Sequence, residues 1–147
     1  MSIDERFAVI SAGFTGDVAA AQAGLLSSDE SVRASAVRSL QRLSALTSEH
    51  ISSCINDASS EVRRTAVEFA APFLDVSIHH LINDEDVFVA EMTAWSLGER
   101  SPVSDEELDA LIACTVSHTE AVVREAVLAY LNGLASTSSL KATDERN

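Results

Sequence analysis

Four times in this chain an apolar residue is followed seven places later by a valine that opens a new helical pattern: Leu25 and Val32, Ile55 and Val62, Ile82 and Val89, Val116 and Val123. The four valines are 30, 27 and 34 residues apart. A recurrence of that length marks stacked helical units, because one helix pair cannot bury its own apolar stripe and must be covered by the next. The expectation is an all-α fold: a short right-handed α-α superhelix of about four helix pairs plus an N-terminal capping helix. Such an architecture builds extended surface, so binding is the first function to test.

With 147 residues, 46% of them apolar, the chain suits one domain with a real core, placed here at residues 1–135. Glycine and proline are scarce, 5 and 2 residues, which favours helix throughout. No long apolar run occurs, and Met1-Ser2-Ile3-Asp4-Glu5-Arg6 lacks the basic and then apolar order of a signal peptide. A soluble, cytoplasmic protein without membrane contact is expected. Cys54 and Cys114 are 60 residues apart and form neither a disulfide framework nor a paired-cysteine zinc motif, so both are expected to be small buried apolar residues.

The formal charge is −13, which repels phosphate backbones and makes nucleic acid an unsuitable ligand; a basic protein suits it better. The charge is uneven. Residues 1–74 hold 9 acids and 6 bases, whereas residues 75–125 hold 12 acids against only Arg100 and Arg124.

Along the chain, Asp4 to Ala12 places Ile3, Phe7 and Ile10 on one side of a capping helix before Gly13 and Gly16 interrupt it. Thr15 or Asp17 caps the next helix, Val18 to Leu26, and Val32 to Leu43 carries Val32, Ala36, Val37, Leu40 and Leu43 inward. Unit two repeats the scheme, from Thr47 through Ile55 and then Val62 to Leu74, where Pro72 is expected to kink or end the helix. Unit three is compressed: Val76 to Ile82, an acidic turn Asn83-Asp84-Glu85-Asp86, and a helix to Leu97 stopped by Gly98, with Pro102 in the linker. Unit four opens on Ser104-Asp105-Glu106-Glu107, an N-cap followed by acids that complement the helix dipole. Its second helix carries Val123, Val127, Leu128, Leu131 and Leu134 inward, and the polar tail, residues 136–147, is expected to be disordered.

The segment Ile55-Asn56-Asp57-Ala58-Ser59-Ser60-Glu61-Val62-Arg63-Arg64-Thr65-Ala66-Val67 resembles the HEAT repeat, in the short form found in phycobilin lyases. Val32-Arg33, Val62-Arg63 and Val123-Arg124 match its Val-Arg pair, and Ala94-Trp95-Ser96-Leu97-Gly98-Glu99 resembles its helix ending. Coverage is about residues 15–135. Ala90 replaces the arginine in unit three, and Ser27 and His118 stand where the turn aspartate would be. The resemblance implies a protein-binding scaffold and no particular reaction.

Arg33, Arg63 and Arg124 form either an anion-binding ladder or, as the resemblance implies, ties to the turns, for which arginine's bidentate geometry is suited. His79, His80 and His118 lack the spacing of a metal site, and neither a catalytic triad nor a phosphate-cradling loop is recognisable, so no metal, cofactor or catalytic residue is assigned. Second helices of stacked repeats line the concave face. Counted from each valine, their outward positions include Glu68, Glu91, Trp95 and Glu125, and Glu91 and Glu99 flank Trp95, the only tryptophan, one turn either way. An exposed Trp95 ringed by carboxylates anchors a basic partner; a Trp95 packed onto the next unit belongs to the core.

Two functions follow as expectations. The first is a non-catalytic acidic adaptor or inhibitor, similar to immunity proteins and antitoxins, that grips a basic protein through Glu68, Glu91, Trp95, Glu99 and Glu125. The alternative, from the resemblance, is a subunit of a bilin lyase or isomerase.

Overall fold

The computed structural model describes the backbone of residues 2–100 and 103–144, and the side chains of 3–100 and 103–133. Pro102 and the Leu134 side chain lie outside them. Among the described residues the fold is all-helical, with eight α-helices, one 3₁₀ turn and no strand. The chain divides into two compact units, residues 1–78 and 79–147.

The first unit contains α1 (Ser2–Thr15), α2 (Val18–Gly24), α3 (Glu30–Arg42), α4 (Ser48–Cys54) and α5 (Ser60–Glu68). Helix α3 packs against α1 and α5, while α2 lies against α1 and α3 and α4 against α5. The expected stripes are the core: Val32, Ala36, Val37 and Leu40 of α3 and Val62, Ala66 and Val67 of α5 are fully enclosed. Helix α5 ends at Glu68, well before the expected Leu74. Pro72 explains the early stop, since it brings no N–H and its ring would collide with the carbonyl of Glu68, four residues back.

Helix α1 turns the opposite side inward from the one its hydrophobicity suggests. Ile3, Phe7, Ile10 and Phe14 are exposed, Phe7 by 72%, while Val9, Ala12 and Gly13 face the core. Small size decides this. Ser39 Oγ donates to the Val9 carbonyl at 2.8 Å, and a Cβ on Gly13 would stand 2.9 Å from Ser39 Oγ, so α1 approaches α3 more closely than bulky side chains permit.

The second unit contains a 3₁₀ turn (His79–Asn83), α6 (Val87–Gly98), α7 (Asp105–Ser117) and α8 (Ala121–Asp144). Here α6 and α7 each pack against both α8 and the 3₁₀ turn. The helix expected over Val76 to Ile82 is reduced to that short turn, yet Val76, Ile78, Leu81 and Ile82 are still buried. Gly98 does not stop α6; it is the helix's last residue, and the Tyr130 ring of α8 packs over it, 3.2 Å from where a Cβ would sit. Val123 and Val127 are enclosed as expected, but Leu128 faces solvent. The α8 backbone stays helical through the serine-rich stretch to Asp144, past residue 135; residues 145–147 lie outside the described residues.

All four turns share one device. The side chain five residues before each valine accepts a hydrogen bond from the amide two residues on: Ser27 Oγ from Asp29 at 3.1 Å, Asp57 Oδ1 from Ser59 at 2.8 Å, Asp84 Oδ1 from Asp86 at 2.9 Å, His118 Nδ1 from Glu120 at 3.1 Å. Ser27 and His118 therefore do the aspartate's work. In three of the four turns, the arginine after the valine reaches back six residues to the carbonyl of that same position, Arg33 to Ser27, Arg63 to Asp57 and Arg124 to His118, whereas Ala90 follows Val89. Arg33 also grips both Asp57 oxygens at 2.9 Å and so ties its own turn to the next, while Arg63 and Arg124 brace the turns they belong to.

Burial works to raise the Asp57 carboxyl, but the Arg33 guanidinium and the Ser59 amide outweigh it and hold the group below the usual range. A carboxyl lowered in the folded state relative to about 3.9 in the unfolded chain stabilises fully above that pH, and the contribution fades as pH falls through the folded-state value. Asp57→Asn is therefore expected to lower the melting temperature at neutral pH and to flatten its decline in acid. Thermal melts at a series of pH values check this; an equally steep acid decline in both proteins would assign it to other carboxylates.

Candidate interaction face

Helix α6 is apolar nearly all the way round, so its sequence alone does not say which side is outward. Asp86 starts it, its Oδ1 accepting from the amides of Phe88 and Val89 at 2.9 and 3.2 Å. The buried side is made of Val89, Ala90, Thr93, Ala94, Ser96 and Leu97, mostly small groups that let the helix approach its neighbours. Ala90, where the other units carry arginine, is part of that face. The large side chains are left outside: Trp95 is 52% exposed and Phe88 59% exposed.

The outward side of α6 therefore runs Phe88, Glu91, Met92, Trp95, Glu99, with Glu91 and Met92 half-buried and Glu99 exposed at the helix end. Phe88, Met92 and Trp95 are spaced by four and three residues, which aligns them in one apolar stripe, and Glu91 and Glu99 lie one turn on either side of the indole. The Trp95 ring is thus on the surface and not enclosed in the core. Glu125 is exposed on α8, the helix against which α6 packs. Glu68 is placed differently: it belongs to the first unit, where it is half-buried and its Oε2 pairs with Arg38 Nη1 at 3.3 Å.

The two described cations of the second unit are both engaged in holding it together. Arg100 Nη1 pairs with Glu107 Oε1 at 2.5 Å in the interior, and Arg124 donates to the His118 carbonyl. Among the described residues, none forms an ion pair with Glu91, Glu99 or Glu125. Residues 75–125 hold 12 acids against these two cations, so the field of this stretch is negative.

No protein-family model matches the chain, and no curated protein matches it.

The other candidate chemistry is occupied by structural work. Burial pushes the Cys54 thiol up to about 11, with Asp57 adding to the effect, and burial also raises Cys114, so both thiols remain protonated at neutral pH. His79 and His80 meet edge to face, whereas His118 Nε2 contacts the Ile82 carbonyl at 2.7 Å. Among the described residues no three His, Cys, Asp or Glu side chains gather in the manner of a metal site. No described helix is long and apolar enough to cross a membrane. Phe88 and Met92 are the members of the α6 face that the spacing argument around Trp95 omits. Their signal is the seven-residue interval between the two aromatics on a helix whose buried side is already filled.

Proposed function

We propose that the chain is a non-catalytic protein-binding module of the HEAT-like kind, an acidic adaptor or inhibitor that takes a basic protein on the α6 face of its second unit. The observation that carries this reading is the stripe of exposed Phe88 and Trp95 with half-buried Met92 between them, with Glu91 and Glu99 beside the indole; these two glutamates and Glu125 of α8 have no ion-pair partner among the described residues. Aromatic anchors give a complex its lifetime, and surrounding carboxylates steer a cation toward it. The four turns of common geometry support the HEAT-like assignment, since they repeat one backbone solution at each apolar-to-valine interval.

Copurification from the native host with mass spectrometry identifies the partner, and stopped-flow association with it tests the mode. Raising salt to about half molar shrinks the screening length to roughly 4 Å, so the association rate is expected to drop far more than dissociation accelerates. Trp95→Ala is expected to act on dissociation and to cost more than about 2 kcal/mol of binding free energy. A variant that melts lower but binds the partner unchanged would return the indole to a structural role and defeat the proposal.

A further inference from the structure

The first unit carries a surface of opposite character. A groove of about 590 Å³ runs between α1, α3 and the end of α5, and its walls include Arg6, Arg38 and Arg42 with Ile10, Phe14 and Phe69. Its lining holds a single carboxylate, Glu61, in a chain whose formal charge is −13. Three cations concentrated against the overall balance of the molecule mark the groove as a place that accepts negative charge.

The guanidinium groups are held in place. Arg42 stacks over the Phe14 ring at 4.1 Å and Arg38 lies 6.0 Å from the centre of Phe69, while Arg6 Nε donates to Ser35 Oγ at 3.2 Å. Stacked arginines keep their N–H edges free for carboxylates and lose less freedom on binding. Arg38 also meets Glu68, but that pair is half-exposed, and exposed pairs hold weakly enough for a ligand carboxylate to replace them.

Beside the groove lies the outward side of α1: Ile3, Phe7, Ile10 and Phe14, spaced by four, three and four residues and all exposed. Ile10 and Phe14 belong to both surfaces, so the apolar ridge runs into the basic groove. The ridge is about 16 Å long at 1.5 Å per residue, three helical turns.

We propose that this surface is a docking site for an acidic amphipathic helix of a partner protein, with the partner's apolar residues on the α1 ridge and its carboxylates on Arg6, Arg38 and Arg42. Charge complementarity selects an acidic segment, and the ridge selects one with an apolar side; a free anion has no use for the ridge. Nucleic acid, whose outer surface is phosphate, likewise has no apolar side to lay on the ridge. The site is independent of the α6 face, and together the two would let one small protein hold a basic and an acidic partner.

The test uses the full chain and a fluorescein-labelled synthetic peptide of roughly 14 residues, helix-favouring, with leucines at i, i+4 and i+7 and glutamates on the flanks, followed by anisotropy. Saturable binding is expected, weakened about tenfold or more by Arg38→Glu with Arg42→Glu and lost when the peptide's glutamates become lysines. Phe14→Ala, at an exposed position, is expected to weaken binding about fivefold or more with an unchanged circular dichroism spectrum, because it removes both an anchor and the support of Arg42. The proposal fails if the double-glutamate variant binds the peptide as well as the parent does, or if inorganic phosphate at millimolar concentration or an oligodeoxythymidylate displaces it. It also fails if sedimentation shows self-association that Arg42→Glu abolishes, which would give the groove to a second copy of the chain.

Discussion

Glu107→Ala is expected to destabilise the protein by about 3–5 kcal/mol, the cost of removing one member of a buried ion pair. Arg100 and Glu107 are 3% and 6% exposed, and both carboxylate oxygens are used: Oε1 by Arg100 and Oε2 by the Ser104 amide at 3.2 Å. Ser104 Oγ in turn accepts from the Glu107 amide, closing a capping box at the start of α7. One truncation therefore breaks a charge pair and half a cap. Replacing both charges, Arg100→Met with Glu107→Leu, is expected to cost less than the single change, since an apolar pair leaves no buried charge behind. Urea unfolding followed by the fluorescence of Trp95, a residue of the second unit, measures both. A double variant less stable than the single one would show that the pair contributes net attraction beyond its own desolvation.

Leu40→Ala is the corresponding experiment in the first unit, with an expected loss of about 3–5 kcal/mol. Leu40 is fully enclosed, packed with Ala12 of α1 and Ala21 of α2 and bordered by Leu25, Leu43 and Leu46. Its fully buried partners on α1 and α2 are alanines, which have no length with which to fill the space it leaves, so much of the cavity is expected to persist. Against a typical total of about 5–15 kcal/mol, such a loss is a large part of the stability of a small unit. Far-ultraviolet circular dichroism during urea unfolding checks it, and a change below about 1 kcal/mol would mean that α1 and α2 close onto α3 once the side chain is gone.

Much of the fold was legible because valine and its turn recur at intervals that periodicity detects. The stripes on α3 and α5 and the caps at Ser104 and Asp17 follow from side-chain chemistry within a few residues. The face of α1 was not legible, because a hydrophobicity pattern weighs Phe7 above Gly13 while the packing is decided by how near Gly13 and Val9 can come to Ser39. The Arg100–Glu107 pair was hidden for another reason: it joins a residue just beyond α6 to the first turn of α7, and no single helical period relates the two positions. For the candidate face, the placement of Trp95 among glutamates could be read from i±4 spacing, but its exposure depended on which side of an almost wholly apolar helix became the inner one.

The four turns agree in the position of one lone pair and disagree in the residue that carries it. A hydroxyl, two carboxylates and an imidazole all present an acceptor to the same amide, so the letters can drift while the backbone bend stays fixed. His118 goes further than the others, because its second ring nitrogen reaches the Ile82 carbonyl while the first serves the turn. In the first unit the comparable link between successive turns takes two side chains, Asp57 and Arg33. One imidazole thus condenses a local bend and a longer tether into a single residue, so the link from the last turn back to Ile82 is made without the arginine–carboxylate pair that joins two turns in the first unit.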